Sequence, residues 1–306
     1  MNKIIRFFIV IISIFIISMS SIYGSVKKIL ILNSDSSNKK YLLYENSYRK
    51  NLYPETIVVK ADSKNMNSQK FRELVKDENP DLIFTVGSLA YQTAVNANSM
   101  KPIVFSGIVN WKRFPVGKNV YGVANEFKSG MQLFTFRNFF PKIKKLGIIY
   151  SPSMNKEWIQ NIQEISKQMD FIVISKALDH QDQIKDTLDD LIPRVDAMWL
   201  IADPAIVSNR DQLIKYFQKT NKAGKMIFTY NDLFTRVGAT LALAIDMNTF
   251  GSQAASLTYS VLNNENLRSK IYYPAGVFIT VNLKKIQELG IEVNYSVLNT
   301  ANKIIK

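Results

Sequence analysis

Few residues in this chain are placed to do covalent chemistry. The single histidine, His180, stands in the polar run Asp179-His180-Gln181-Asp182, where exposure or a capping role accounts for it and no Ser-His-Asp arrangement is built around it. Asp189 and Asp190 are adjacent on a helical segment and point apart, so they form no acid–base pair. The chain has no cysteine, which removes thiolate catalysis, disulfides and cysteine metal sites. Gly224 and Gly238 are isolated, and no phosphate-cradling or dinucleotide fingerprint is present. An enzyme is not expected, and neither is a metal or cofactor. Ser88 and Ser106-Gly107 are better suited to holding a ligand than to converting one. Ser88 opens a helix, so its hydroxyl either caps that helix or orients an anionic group. Gly107 follows a strand, where glycine permits close backbone approach.

The elements that position these residues are legible around them. Asp81-Leu82-Ile83-Phe84-Thr85-Val86 is a short run of strand formers broken by Gly87-Ser88, and Leu89 to Asn96 follows with helical spacing. Lys101-Pro102-Ile103-Val104-Phe105 is the next buried strand. This βαβ unit requires a parallel sheet with helices on its faces, and ligands of open parallel sheets sit outside the carboxyl ends of the strands. Before it, Lys27 to Asn33 and Ile57 to Val59 predict strands, and Tyr41 to Asn51 and Ser68 to Asp77 predict helices. After it come a strand at Val120 to Val123 and a helix at Ser129 to Phe139, ended by Pro141. The alternation then restarts, with strands at Lys145 to Tyr150, Phe171 to Ser175, Ala197 to Ala202, Met226 to Tyr230 and Ala242 to Asp246. Between them lie helices at Asn155 to Met169, Gln181 to Leu191 and Asn209 to Thr220. A helix at Asn248 to Leu262, an extended run at Tyr272 to Asn282 and short helices at Leu283 to Leu289 and Ser296 to Ile305 complete the chain. Two such runs predict an α/β protein with two domains of similar build.

Residues 1–24 have the pattern of an export signal: Lys3 and Arg6, an apolar core from Phe7 to Ile17, then a small polar end with cleavage expected after Gly24. The alternative is an uncleaved anchor, since the apolar stretch is near the lower length limit for a membrane span. Removal of Lys3 and Arg6 lowers the net charge from +14 to +12. The remaining basic excess is dispersed over Lys27-Lys28, Lys39-Lys40, Lys142 to Lys145 and Lys284-Lys285. It has no aromatic interleaving, so it describes a solvated surface rather than a nucleic-acid face. A periplasmic protein is expected.

Order and spacing of short motifs over most of the chain resemble one family. Val86-Gly87-Ser88-Leu89-Ala90 is followed by Pro102-Ile103-Val104-Phe105-Ser106-Gly107, then Asn119-Val120-Tyr121-Gly122-Val123. Phe140-Pro141 leads into Leu146-Gly147-Ile148-Ile149-Tyr150-Ser151-Pro152. Gly238-Ala239 precedes Asp246 and Gly251-Ser252-Gln253-Ala254-Ala255, and Val281-Asn282-Leu283 leads to Leu289-Gly290-Ile291. Together these resemble the ABC transporter solute-binding proteins whose members include tryptophan-, tyrosine- and phenylalanine-associated proteins. The resemblance implies a type I periplasmic binding protein fold, with two doubly wound parallel-sheet lobes joined by three hinge crossings. One lobe would hold residues 25–124 and 247–268, the other 125–246 and 269–306.

The implied function is capture of a small polar solute, an amino acid among the candidates, in the cleft between lobes. Delivery to a membrane permease would follow, with the protein a monomer. The resemblance brings Ser151 and Asn155 to the cleft end of the second lobe. It brings Asp203 to a position that can meet a ligand amine, although Asp203 before Pro204 is equally a turn former. Tyr230 and Asp232 lie at the next strand end and Asp246 near the second crossing. Tyr230 either stacks on a ring or packs at the lobe edge. The chain departs from the amino-acid-binding members at Ile108-Val109-Asn110-Trp111, where they carry Asp-Pro, and at Asp203-Pro204, where they often carry Asp-Asn. The same fold could report ligand to a membrane receptor or kinase instead of a permease, or serve as a structural envelope protein with a closed cleft.

Overall fold

The computed structural model describes residues 26–306 except Ser99, Gln181 and Asp182, so the expected leader and the first residues expected of the Gln181 helix lie outside the described residues. The first βαβ series runs β1 (Lys28–Asn33), α1 (Lys39–Lys50), β2 (Ile57–Asp62), α2 (Ser68–Glu78), β3 (Leu82–Val86), α3 (Ser88–Asn96), β4 (Ile103–Ser106) and β5 (Val120–Val123). The second runs α4 (Ser129–Phe139), β6 (Lys145–Tyr150), α5 (Pro152–Gln168), β7 (Ile172–Ala177), α6 (Ile184–Leu191), β8 (Ala197–Leu200), α7 (Pro204–Val207), α8 (Arg210–Lys222), β9 (Met226–Thr229) and β10 (Leu241–Ile245). After these come α9 (Met247–Leu262), β11 (Ile271–Tyr272), β12 (Val277–Asn282), α10 (Leu283–Glu288) and β13 (Lys303–Ile305).

The strands form two sheets, ordered β11-β5-β4-β3-β1-β2 and β13-β12-β10-β9-β8-β6-β7. Every pairing is parallel except that of β10 with β12. Both faces of each sheet are covered, and the strand period of two divides the side chains between them. On β1, Ile29 and Ile31 enter one core and Leu30 and Leu32 the other. On β8, Ala197 and Trp199 face one core and Met198 and Leu200 the opposite one. Asparagine starts many of the helices: Asn38, Asn67 and Asn209 each accept a backbone N–H of the first turn through the side chain.

The chain passes between the sheets after β5, at Asp246, and between β11 and β12. The third passage corrects the expected boundary after 268. Ile271 pairs with Gly122 and Tyr272 with Val123, so β11 completes the edge of the first sheet and the crossing follows Tyr272. The C-terminus also differs from expectation. Tyr295–Thr300 is a short 3-10 turn, and Lys303–Ile305 is a strand beside β12 rather than the end of a helix.

The second passage delivers α9 onto α1 at close range. A Cβ on Gly251 would overlap the Ser47 hydroxyl and carbonyl oxygens. We predict that Gly251→Ala lowers the unfolding free energy by about 2 kcal/mol despite alanine's better helix propensity. Urea denaturation checks this, and an unchanged midpoint would show that the two helices can move apart freely.

Candidate functional site

A cavity of 210 Å³ lies between the two sheets, and both lobes and the passages line it. Helix α1 contributes Lys40, Leu43 and Tyr44, and the loop after β4 contributes Val109 and Asn110. The first passage contributes Asn125, Glu126 and Phe127. On the second-sheet side stand Asn155 and Trp158 of α5, Trp199 of β8, the Ile201-Ala202 turn, Tyr230-Asn231, and β10 from Leu243 to Ile245. Part of its location follows from topology: Val109-Asn110, Ile201-Ala202 and Tyr230-Asn231 lie beyond the carboxyl ends of the parallel strands β4, β8 and β9.

The second-lobe wall is aromatic. Trp158 meets Trp199 edge to face at 5.3 Å, and Trp199 meets Phe136 at 4.9 Å. Such pairs fix ring orientation as well as burying area. Trp199 is 2 % exposed, so one side of it belongs to the lobe core while it also closes the cavity. On the first-lobe side Tyr44 packs edge to face on Phe250 at 5.0 Å and donates its hydroxyl hydrogen to Asn125 Oδ1. Burial pushes the Tyr44 phenol well above its ordinary value, with the charge of Glu126 adding to the effect. Tyr230 is pushed up to about 12, first by burial and then by the charge of Asp203. Both phenols therefore stay neutral donors at physiological pH.

Behind the cavity wall the structure joins three of the residues expected at the site. Asp203 is fully buried. Its Oδ2 accepts the Ser151 backbone N–H at 2.7 Å and the Asn155 side-chain amide at 2.7 Å, and the Ser151 hydroxyl donates to Oδ1 at 2.8 Å. This network ties the start of α5 to the end of β8, and its visible effect is to orient Asn155, which does line the cavity. Asp203 also opens α7, its carbonyl accepting the Ile206 and Val207 amides.

The other expected residues are placed differently. Tyr230 lines the cavity. Ser106 is buried in the sheet and donates to the Thr85 carbonyl at 3.3 Å. Gly107 takes a left-handed φ of +66° beneath the Tyr44 ring. Ser88 is not the cap of α3: that position is Gly87, and the Ala90 N–H is accepted by Ser34 Oγ at 3.0 Å. The Ser88 hydroxyl instead accepts from Arg113 at 3.5 Å. Asp232 opens the 3-10 turn Asp232–Val237, for which Asn231 is the cap. Asp246 caps α9 through the Asn248 and Thr249 amides and the Thr249 hydroxyl. None of these five is part of the cavity lining. Trp111 packs toward Phe105 at 6.3 Å and anchors its loop to the first lobe.

Glu126 is the acidic side chain that does line the cavity. Desolvation there pushes its carboxyl up to about 7, opposed by the backbone amides of Asn110 and Asn125 and by the charge of Lys112. No sequence motif marked it, since it follows a short strand in an unremarkable linker. Among the described residues, no cluster of metal-ligating side chains occurs and no helix is long and apolar enough to cross a membrane.

Two α/β lobes with a cavity at their seam are the architecture of two-lobed binding proteins. A family model for ABC transporter substrate binding proteins matches residues 28–305, and the chain belongs to that family. It is similar to a protein named tyrosine-binding protein from Clostridioides difficile (strain R20291), 24 % identical over 197 residues, which cover 61 % of this chain and 56 % of that one. The chain thus spans a little over half the length of this curated relative. Solved structures share the fold, two of them as follows. One is the ligand-free, open structure of a substrate binding protein with adhesive properties from Clostridium difficile, with a TM-score of 0.74 at 18 % identity over 92 % of this chain and 99 % of that one. The other is an ABC domain in complex with L-Trp from Streptococcus pneumonia, with a TM-score of 0.66 at 20 % identity over 92 % of this chain and 100 % of that one. The fold is that of type I periplasmic binding proteins.

Proposed function

We propose that this protein captures a free amino acid with an aromatic or branched apolar side chain in the interlobe cavity and presents it to a membrane permease. The observation that carries this reading is the cavity, whose lining joins the Trp158 and Trp199 wall to the polar groups of Asn155, Asn110 and Glu126. An apolar pocket with a few convergent polar groups suits a small amphipathic solute. The tyrosine-binding relative and the L-Trp complex support the same ligand class. Binding proceeds without covalent change of the ligand. The basic and apolar start of the chain supports export to the periplasm, and the protein acts there as a monomer.

Capture involves closure of the lobes about the passages. Of the described residues, those within 26–124 and 247–272 make up one lobe and those within 125–246 and 273–306 the other. Across the seam the Asn110 side-chain amide donates to the Met154 carbonyl, and Arg113 Nη1 approaches Met154 Sδ at 3.5 Å. These contacts belong to the closed arrangement. Removing one neutral hydrogen bond costs about 1 kcal/mol, so Asn110→Ala should weaken ligand affinity about fivefold and enlarge the radius of gyration of the ligand-free protein. Small-angle scattering with calorimetry checks both, and unchanged values would exclude the contact as a latch.

Native mass spectrometry of the protein from its own periplasm, followed by a thermal-shift screen of free amino acids, tests the reading. A co-purifying amino acid that raises the melting temperature is expected. Selective stabilisation by sugars or by inorganic anions would replace the ligand class.

A further inference from the structure

We propose that Glu126 receives the protonated nitrogen of the ligand, so that the cavity selects amines and zwitterions with an aromatic or branched apolar body over the corresponding free acids. This rests on the reading of the cavity as an amino-acid site. Among the acidic side chains of the described residues, Glu126 is the one in the cavity lining, and its Oε2 is sealed from solvent with no hydrogen-bond partner. A carboxylate oxygen in that position is costly unless a donor arrives to satisfy it. Asp203, the acid expected to meet an amine, already accepts from Ser151 and Asn155 with both oxygens and lies outside the lining. Glu126 also stands in the first passage between the lobes, so a ligand held there touches the segment about which the lobes would close. Lys40 of α1 lines the same cavity and supplies the complementary charge for a carboxylate.

The groups around Glu126 define how binding responds to pH. Lys112 faces it from the loop after β4, Tyr44 from α1 and Tyr273 from the third passage. Both tyrosines are pushed up by burial and then by the charge of Glu126, away from the neutral range. Burial pushes the Glu126 carboxyl itself up to about 7. A cationic ligand favours its ionised form, so binding releases a proton below that value, and affinity falls as pH falls. Between about pH 8 and about pH 6 the loss is about tenfold, the change in ionised fraction of a group with that value.

The test is calorimetric titration with L-tyrosine, L-tryptophan, tyramine, tryptamine, hydroxyphenylpropionate and indolepropionate at both pH values. The wild type, Glu126→Gln and Glu126→Asp are compared, with a thermal melt of each to verify folding. The amino acids and amines should bind the wild type and the free acids should not. Glu126→Gln should lose about 30-fold at the higher pH and lose the pH dependence, whereas Glu126→Asp should keep the pH dependence. A purely structural role for Glu126 would not produce that difference. Free acids binding as tightly as amino acids, or a glutamine variant within about threefold of wild type at both pH values, would overturn the assignment while leaving the amino-acid site standing. A folded wild type that binds none of the six compounds and none of the branched apolar amino acids would overturn both.

Discussion

Replacing Trp199 with alanine should lower the unfolding free energy by about 4 kcal/mol, the usual cost of deleting a large aromatic from a packed core. The side chain is 2 % exposed and contacts Phe136 and Trp158 in edge-to-face geometry. It also pairs in register with Phe228 on β9, which stacks on Phe136 at 4.4 Å. The vacated volume opens directly into the cavity, so water can fill part of it and the loss can fall toward the lower end of the range. Trp199→Phe keeps a ring in place and should cost about half as much. Urea denaturation of both variants checks this. Equal stabilities for wild type and the alanine variant would show that Trp199 is a replaceable cavity wall and not part of the core.

The second large effect is expected at Asp203. Alanine there would leave the Ser151 amide, the Ser151 hydroxyl and the Asn155 amide without the acceptor they share. Stranding buried donors that had bonded to a charged group costs about 3–5 kcal/mol. The start of α5 would detach from the end of β8, and Asn155 would lose its orientation in the cavity. Affinity should therefore fall together with stability. Asp203→Asn retains one acceptor oxygen and should recover part of both. Loss of binding at full stability would instead mean that Asp203 contacts the ligand itself, which the closed network around it contradicts.

Most of the fold is legible in the sequence because its parallel strands are buried on both faces. Stretches such as KILILN and AMWL are apolar runs bounded by turn residues and need no partner to be recognised. Edge elements are less legible. Lys303–Ile305 is a three-residue strand whose pairing with β12 is supplied by tertiary context, and its sequence suits a helix equally well. Tyr272 to Asn282 reads as one extended run, yet its two ends belong to different sheets.

The site is partly legible for a related reason. Polar residues at strand ends are visible, but the sequence does not tell a residue that faces a ligand from one that caps a helix. Asp246 is of the second kind, and Ser106 is bound within its own sheet. Asn155 and Tyr230 reach the cavity, while Ser151 and Asp203 stand behind Asn155. Glu126, Trp158 and Tyr44 come from a linker and from helix faces far apart in the chain. Only the packing of two lobes brings them together.

Isothermal titration of the folded, ligand-stripped protein with the free amino acids tests the central claim most directly. The account predicts one-to-one binding of an aromatic or branched apolar amino acid at micromolar or tighter affinity, with a shift in the emission of Trp158 and Trp199 on saturation. The absence of heat and of any emission change across all the amino acids would contradict it.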